Sequence, residues 1–591
     1  MKHKFSTAVN ALSFVLKIFI KNAPFKLLSE SLLAALKNIL VVLNAVWLLE
    51  YLTDLIYQGR SFERTFDILI LVCTINAAAS IVQNWYTYCV KPKSDLKIKR
   101  NLETSLMTHA EKLPLYYYEN SDFYTTVQQA KDCITGTIFT VYNEFIQIFA
   151  NIAAAISAVI VVVKINPLLL IFIIFTVPMI MISLHYGQMF SEKRMKLAFW
   201  ERKKQYAKQA WLSKETVREF KTTNAFRIVD KYYEDACDAE IAINTSIGKN
   251  LFIWDCLGRG FSISFIWIIC YLYGICSYTF SDDFSLSSFS VMFVAIMNMI
   301  SKIRKIYKSY ERVCGCRVQL DALKKFWECV PENTVAEGLS PALFKSLEFR
   351  NVWFAYDKEH WVLKNVSFKI EAGKKTAVLG YNGAGKSTLL KLILRFYDVQ
   401  KGEILYNGIN INRYRLDEYR KIFSAAFQDS QMFSLTLEEN ILINGGTSIA
   451  GKEMDNALKN INMGELTGSA KKILGREYDK DGLVLSGGQR QKIAITRMAF
   501  DAFDIALLDE PSSALDPVSG KQMLDTVLKI VENKTMLMVS HDMSVTKKVD
   551  YILFFESGEL VEQGTHSQLM ENDKKYASFF RYQSEVYQKM D

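Results

Sequence analysis

The chain has 591 residues, 50% of them hydrophobic, and carries a formal net charge of +9. It is longer than a single domain usually is and too apolar for an ordinary soluble enzyme. The positive charge lies in basic connecting segments and no aromatic-basic module accompanies it, so nucleic-acid binding is not expected. Apolar runs fill the first half and glycine motifs the second, which predicts two kinds of domain.

Residues 1–24 are basic and contain one short apolar run, 11–20, interrupted by Lys17. A helix needs about 20 mostly apolar residues to cross a bilayer. A short, charged run is instead typical of a helix that lies on the membrane surface. We therefore expect an interfacial elbow helix on the cytoplasmic leaflet.

Six apolar segments of spanning length follow within residues 25–330, at 27–57, 65–90, 138–163, 168–185, 261–280 and 286–303. The long connections at 91–136 and 191–251 are rich in lysine and arginine, so the positive-inside rule places them in the cytoplasm. They contain few helix breakers, which predicts spanning helices that continue beyond the lipid. Pro92 is expected to kink its helix, because proline removes a helical hydrogen bond.

A linker is expected at residues 331–345, which include the stretch PENTVAEGLSP. Two prolines and a glycine without apolar periodicity indicate irregular structure. The second domain then covers residues 346–591.

The stretch AVLGYNGAGKSTLL has an apolar strand, the pattern GxxxxGKST and a helical continuation. In that context the pattern predicts a P-loop, in which glycines fold backbone N–H groups around phosphate. We expect Lys386 to reach the β and γ phosphates and the Ser387 hydroxyl to bind Mg²⁺. The loop and its flanks supply the remaining candidate nucleotide contacts: Gly380, Tyr381, Asn382, Gly383, Ala384, Gly385 and Thr388.

A second apolar strand ends in two acids, in the stretch ALLDEP. Asp509 is placed to hold Mg²⁺, which prefers a few carboxylates together with waters and phosphates. Glu510 is expected to face the γ phosphate and to polarise the attacking water.

The ordered motifs AYDKEHWVLKN, GYNGAGKST, FQDSQMF, LSGGQ, ALLDEP, SALD and VSHD resemble the nucleotide-binding domain of an ATP-binding cassette (ABC) protein. Together with six preceding helices, the chain resembles an ABC exporter half-transporter. The fold that this implies is an α-helical six-helix transmembrane domain followed by an α/β P-loop ATPase. The implied activity is ATP hydrolysis coupled to transport across a membrane.

The resemblance assigns roles to further residues of this chain. Tyr356 matches the aromatic that stacks on adenine, and Gln428 the glutamine that contacts Mg²⁺ and the attacking water. His541 matches the histidine that hydrogen-bonds the γ phosphate, and Asp516 a residue that couples two sites.

In this family the LSGGQ motif closes on the ATP held by the other subunit. Ser486, Gly488 and Gln489 would therefore meet a partner's γ phosphate, which implies a dimer that encloses two ATP molecules. A homodimer is favoured, because Glu510 and LSGGQ both match the family pattern; a heterodimer remains open. The stretch GREYDKDGL just upstream departs from that pattern.

The order of segments also resembles the family's coupling helices, with the first near 114–130 and the second near 214–226. We expect the N-terminus and the nucleotide-binding domain to lie in the cytoplasm, and the resemblance implies that the chain is in the plasma membrane. The cargo is expected to be an amphipathic peptide, lipid or drug-like molecule. Two alternatives remain open: an importer built on the exporter fold, for example for a metal chelate, and an ATP-gated channel or regulator.

Overall fold

The computed structural model describes residues 2–58, 62–165, 167–174, 176–256, 262–280, 286–332, 338–357, 359–444, 451–476, 479–513 and 515–588. The chain divides into two compact units. Unit 1 comprises Met1–Leu113 and Asn120–Val330, and unit 2 comprises Pro114–Glu119 and Pro331–Asp591.

The first part of the chain is helical. Its helices are α1 (Lys2–Asn22), α2 (Pro24–Gln58), α3 (Phe62–Trp85), α4 (Lys91–Glu111), α5 (Leu115–Tyr118, within unit 2), α6 (Ser121–Asp132), α7 (Ile138–Ile165), α8 (Thr176–Leu212), α9 (Lys214–Thr222), α10 (Ala225–Asp255), α11 (Ser262–Phe280), α12 (Leu286–Gly315) and α13 (Arg317–Glu328).

The segment around Pro92 stays helical. A π-helical turn, Tyr86–Val90, joins α3 to α4, and Pro92 lies in the first turn of α4. Proline has no N–H and its ring clashes with the preceding turn, so a wider turn just before it accommodates both defects. The helix therefore continues through Pro92 to Glu111, with a π turn at the expected irregularity.

Three stretches within the described residues are long and apolar enough to cross a membrane: Pro24–Val46, Phe66–Glu111 and Ser121–Lys164. Ser264–Ser277 is a shorter apolar helix. The segment predicted to span at 168–185 is not one helix. It begins as a 3₁₀ helix, Pro167–Ile173, and α8 begins afresh at Thr176 with Pro178 in its first turn, where a missing N–H costs little.

Helices α2, α7, α11 and α12 of unit 1 share a buried apolar core. In α7, Ala154, Ala158 and Val162 repeat every four residues and are fully buried. Small side chains at this spacing allow helices in a membrane to approach closely.

Polar side chains in the apolar segments pair with one another. Asn44 Nδ2 donates to Asn76 Oδ1 at 2.8 Å, and Lys302 Nζ donates to Asn38 Oδ1 at 3.4 Å. Unpaired polar groups are costly in hydrocarbon, so such pairs stabilise the bundle. Asp255 and Arg259 are spaced i, i+4 in the sequence, which predicts a pair on one helix face, but they lie outside the described side chains.

Unit 2 contains two sheets. The four-stranded antiparallel sheet has the order β2-β1-β4-β5, and the six-stranded sheet has the order β10-β9-β3-β8-β7-β6. Their strands are β1 (Ser346–Phe354), β2 (Leu363–Glu371), β3 (Lys375–Gly380), β4 (Lys401–Tyr406), β5 (Ile409–Asn410), β6 (Phe423–Ala426), β7 (Ile505–Asp509), β8 (Thr535–Val539), β9 (Tyr551–Glu556) and β10 (Glu559–Gly564).

The larger sheet is parallel except at β10. Its central strands read as continuous apolar runs, because helices cover both faces of a parallel sheet. The helices of unit 2 are α14 (Lys386–Ile393), α15 (Leu416–Arg420), α16 (Leu437–Ile441), α17 (Gly451–Asn460), α18 (Gly487–Ala499), α19 (Pro517–Ile530), α20 (His566–Glu571) and α21 (Lys575–Gln588). The carboxyl ends of β3, β7 and β8 meet at one edge, where α/β proteins bind ligands.

Candidate nucleotide-binding site

The predicted P-loop connects the end of β3 to the start of α14. Gly380 and Gly385 have positive φ angles of 146° and 88°. A Cβ at Gly380 would lie 2.0 Å from the Phe555 carbonyl oxygen, and one at Gly385 would lie 2.8 Å from the Leu363 side chain. The positive φ angles and the close neighbouring atoms both require glycine at these two positions. Because glycine has no side chain, the N–H groups of the loop are not covered there.

Lys386 is buried at the first position of α14. Its Nζ donates hydrogen bonds to the carbonyl oxygens of Gly380 at 2.9 Å and Tyr381 at 2.8 Å. Burial lowers the pKa of Lys386 to about 8, against the opposing effect of the Glu510 and Asp509 carboxylates. The ammonium thus lies folded on the loop, where a phosphate would offer stronger acceptors.

Ser387 and Asp509 are brought together at the ends of two neighbouring elements. Ser387 Oγ donates to Asp509 Oδ1 at 3.0 Å. Burial raises the pKa of Asp509, although this hydrogen bond opposes the rise. A hydroxyl and a buried carboxylate form the oxygen set that Mg²⁺ prefers, so these residues fit that ion.

Glu510 follows β7 with a left-handed backbone, φ 48°. That conformation costs a non-glycine residue about 1 kcal/mol or more, so surrounding contacts must hold it. His541 Nε2 lies 2.6 Å from Glu510 Oε1, and Gln428 Nε2 donates to Glu510 Oε2 at 3.2 Å. Gln428 and His541, predicted from two other motifs, therefore both contact the Glu510 carboxylate.

The P-loop and this carboxylate line one open cavity of about 450 Å³. Its lining residues are Val362, Asn382, Gly383, Gly385, Lys386, Ser387, Thr388, Gln428, Glu510 and His541. Asp509 reaches the cavity indirectly, because it accepts a hydrogen bond from Ser387, which lines the cavity. The cavity thus combines backbone N–H groups, a lysine and three groups able to act on a water or a phosphate.

Tyr356 adjoins the cavity through the P-loop helix. Its hydroxyl lies 3.1 Å from Thr388 Oγ1, and 45% of the residue is exposed. An aromatic ring with an exposed face is able to stack on a base.

The LSGGQ residues lie at the start of α18, and none is among the described residues that line the cavity. Ser486 and Gln489 form a capping box: Gln489 N donates to Ser486 Oγ at 3.2 Å, and Ser486 N donates to Gln489 Oε1 at 2.8 Å. Ser486 remains exposed and Gly488 half-buried. Asp516 likewise caps α19, accepting from the backbone N–H groups of Val518 and Ser519.

Sequence reasoning missed Gln491. Its side chain is buried, and its Nε2 donates to the Glu510 carbonyl oxygen at 2.9 Å. The contact ties α18 to the left-handed turn at Glu510. The available signal was a glutamine on the apolar face of a helix beside Ile493 and Ala494.

Residues 363–513 match the family described as "ABC transporter". The matched segment lies within unit 2 and contains the P-loop, Gln428 and Glu510.

The chain is 31% identical over 307 residues, 51% of its length and 52% of the relative's, to the "ATP-dependent lipid A-core flippase" of Haemophilus influenzae (strain 86-028NP). It is 32% identical over 265 residues, 44% of the chain and 36% of the relative, to the "Iron-sulfur clusters transporter ATM1, mitochondrial" of Candida glabrata. The chain thus spans about half the length, or less, of the curated relatives it matches.

A solved structure, "Structure of a bacterial Atm1-family ABC exporter with ATP bound", superposes with a TM-score of 0.80 at 20% identity. The superposition covers 95% of this chain and 98% of that one. The chain therefore has the fold of that solved structure, a helical part followed by an α/β domain.

Proposed function

We propose that the chain is one half of an ATP-driven exporter. The observation that carries the proposal is the cavity in which the P-loop, Gln428, His541 and Glu510 converge. The names of the relatives, a lipid flippase and a cluster transporter, support a transporter, and the apolar helices support an integral membrane protein.

The site residues take the following roles in hydrolysis. The P-loop N–H groups and Lys386 bind the β and γ phosphates, with the ammonium turning from the loop carbonyls to the phosphate oxygens. Glu510 orients and polarises a water that attacks the γ phosphorus, and His541 donates a hydrogen bond to a γ-phosphate oxygen. Phosphoryl transfer depends chiefly on such positioning and charge neutralisation.

Ser387, Asp509 and Gln428 are the residues proposed to hold Mg²⁺. When bound, the ion neutralises charge on the phosphate oxygens. Before that, Ser387 and Asp509 satisfy each other's hydrogen bond, and Gln428 is held on Glu510. ATP binding therefore exchanges contacts within the site for contacts to the nucleotide.

The accessible start of α18, where Ser486 and Gly487 are exposed, supports a dimer. Ser486 still has its hydroxyl hydrogen to donate, and α18 directs N–H groups outward beside it, a favourable arrangement for a partner's γ phosphate. Closure around ATP and release after hydrolysis would shift the two domains between two states. A homodimer is proposed.

The proposed cargo is an amphipathic molecule such as a lipid, peptide or drug-like compound, and the proposed location is the plasma membrane with unit 2 in the cytoplasm. The segments near α5–α6 and α9 are proposed as the coupling helices. Basic residues in these connections support their cytoplasmic placement.

The test is ATP hydrolysis by this chain alone in lipid nanodiscs. We expect Mg²⁺-dependent turnover that Glu510→Gln reduces at least 100-fold while ATP binding persists, because the amide keeps the shape but cannot polarise water. No hydrolysis by a well-folded sample that binds ATP would overturn the homodimer and indicate a different partner chain. Unchanged turnover in the variant would overturn the role of Glu510.

A further inference from the structure

Unit 2 includes one short segment from the helical half of the chain, Pro114–Glu119, which contains α5. Glu119, at its end, accepts a hydrogen bond from the Tyr397 hydroxyl. Its second carboxylate oxygen lies 3.5 Å from Lys391 Nζ. Lys391 is on α14, the helix that begins at the P-loop, and Tyr397 follows that helix closely.

The two groups held by Glu119 also surround Tyr356, the candidate base-stacking residue. The Tyr397 ring meets the Tyr356 ring edge-on, with centroids 5.2 Å apart at 89°. Lys391 Nζ lies over the Tyr356 ring, 5.1 Å from its centroid. These two neighbours of Tyr356, Lys391 and Tyr397, both contact the Glu119 carboxylate.

The remaining contacts of Tyr356 fix it from the other side. Its hydroxyl bonds to Thr388 in the P-loop motif, and its ring meets Phe354 edge-on at 5.0 Å. The ammonium over the ring leaves one face for a base, since a second group cannot stack where Lys391 lies. A base that binds must stack on the ring face opposite Lys391 or displace Lys391. In either case the base acts on a group that Glu119 contacts.

We propose that Glu119 is a positioning residue for the nucleobase: through Lys391 and Tyr397 it orients Tyr356, and base occupancy is communicated back to Pro114–Glu119. The inference rests on the proposed ATP-binding function and adds a regulatory contact to that site. Coupling between two sites is reciprocal, so a segment that favours base binding is itself stabilised by the base. The segment is joined covalently to α4 on one side and to α6 on the other.

The experiment measures ATP binding to the full chain in nanodiscs, in a Glu510→Gln background that prevents turnover. We expect Glu119→Gln to weaken ATP binding about fivefold, near the low end of site-to-site coupling. Binding of inorganic tripolyphosphate, which has no base to stack, is expected to stay unchanged. Glu111→Gln is the matched control, since Glu111 is an exposed carboxylate at the end of α4.

Two further variants separate positioning from a fold defect. Tyr397→Phe keeps the ring against Tyr356 and removes only the hydroxyl, and it is expected to reproduce part of the loss. In a Tyr356→Ala background, Glu119→Gln is expected to have no further effect, because its route to the base is gone. In the hydrolysing chain, Glu119→Gln should raise KM and leave kcat nearly constant.

Hydrogen exchange of the backbone amides at 115–119 measures the reverse effect, that of the bound base on this segment. ATP is expected to slow their exchange, whereas tripolyphosphate is not. Equal weakening of ATP and tripolyphosphate binding, or equal protection by both, would overturn the base-sensing role. If the parent chain binds ATP but Glu119→Gln binds it equally well, only this inference fails; if the parent binds no ATP, the proposed function fails with it.

Discussion

Lys386 binds its own loop before any nucleotide arrives, and burial depresses its pKa to about 8 from 10.5. Between these two values the unfolded chain binds more protons than the folded chain, so this residue's contribution to stability rises with pH across that window. Phosphate binding has the opposite requirement, because the ammonium must be charged. The same burial therefore makes the free site sensitive to alkali.

We predict that kcat/KM for ATP falls above about pH 8, approaching tenfold per pH unit, because this ratio reports groups of the free enzyme. Bound phosphates favour the protonated lysine, so the fall in kcat should begin at higher pH. Steady-state measurements of kcat/KM and kcat from pH 6.5 to 9.5 check both predictions. A kcat/KM that stays level through pH 9.5 would contradict a depressed lysine pKa.

At the scale of single residues, the sequence predicts local motifs better than contacts between motifs. The P-loop residues and Asp509 were found because strand, loop and helix are continuous in the chain. The contact of Glu119 with Tyr397 joins residues 278 positions apart, and nothing in either local pattern indicates it. Gln491 was missed for a similar reason, since its partner is a backbone carbonyl that only the fold brings near.

Helices were predicted from apolar length, and their irregularities depended on proline. The π turn before Pro92 and the fresh start of α8 near Pro178 both follow from a missing N–H. The sequence located the irregularity at Pro92 but did not show that a π turn would preserve the helix. It did not foresee the break within 168–185, because hydropathy alone cannot distinguish a 3₁₀ segment from an α-helix.

Helices α18 and α20 of unit 2 begin with the same kind of cap, which allows a matched test. Ser486 with Gln489 begins α18, and Thr565 with Gln568 begins α20, each as a full capping box. Replacing either cap by alanine costs about 1 kcal/mol. We expect Ser486→Ala and Thr565→Ala to lower the melting temperature similarly, by about 2–4 °C for a domain of this size.

Activity should separate the two variants. A hydrogen bond to a charged group contributes about 1.5–3 kcal/mol, so Ser486→Ala should also lower ATP turnover roughly tenfold or more. Thr565→Ala should leave turnover within about twofold, since α20 is not part of the proposed site. Thermal unfolding and hydrolysis rates on the same preparations provide the comparison. Parallel losses of activity would mean that Ser486 acts only as a cap.

At the scale of the whole molecule, the central feature is that, among the described residues, the P-loop and Glu510 line the cavity and the LSGGQ residues do not. The structural likeness over 95% of the chain shows that it shares the fold of a solved exporter. Sequence patterns predicted both domains because each motif carries its own chemistry. Cargo choice depends on side chains that several helices bring together, for which no local pattern exists.

A pair of damaged chains tests whether each site is built from two subunits. A dimer of one Lys386→Ala chain and one Ser486→Arg chain has one site with both defects and one with neither. If the sites act independently, this mixed dimer should recover about half of the wild-type rate, although each variant alone is inactive.

The control mixes a wild-type chain with a chain that carries both substitutions. There each composite site contains one defect, so we expect almost no turnover, although the mixture contains the same mutations as before. Two different affinity tags isolate the mixed dimers, and ATP hydrolysis in nanodiscs gives the rates. The opposite ranking, with the wild-type mixture more active, would mean that LSGGQ serves the P-loop of its own chain.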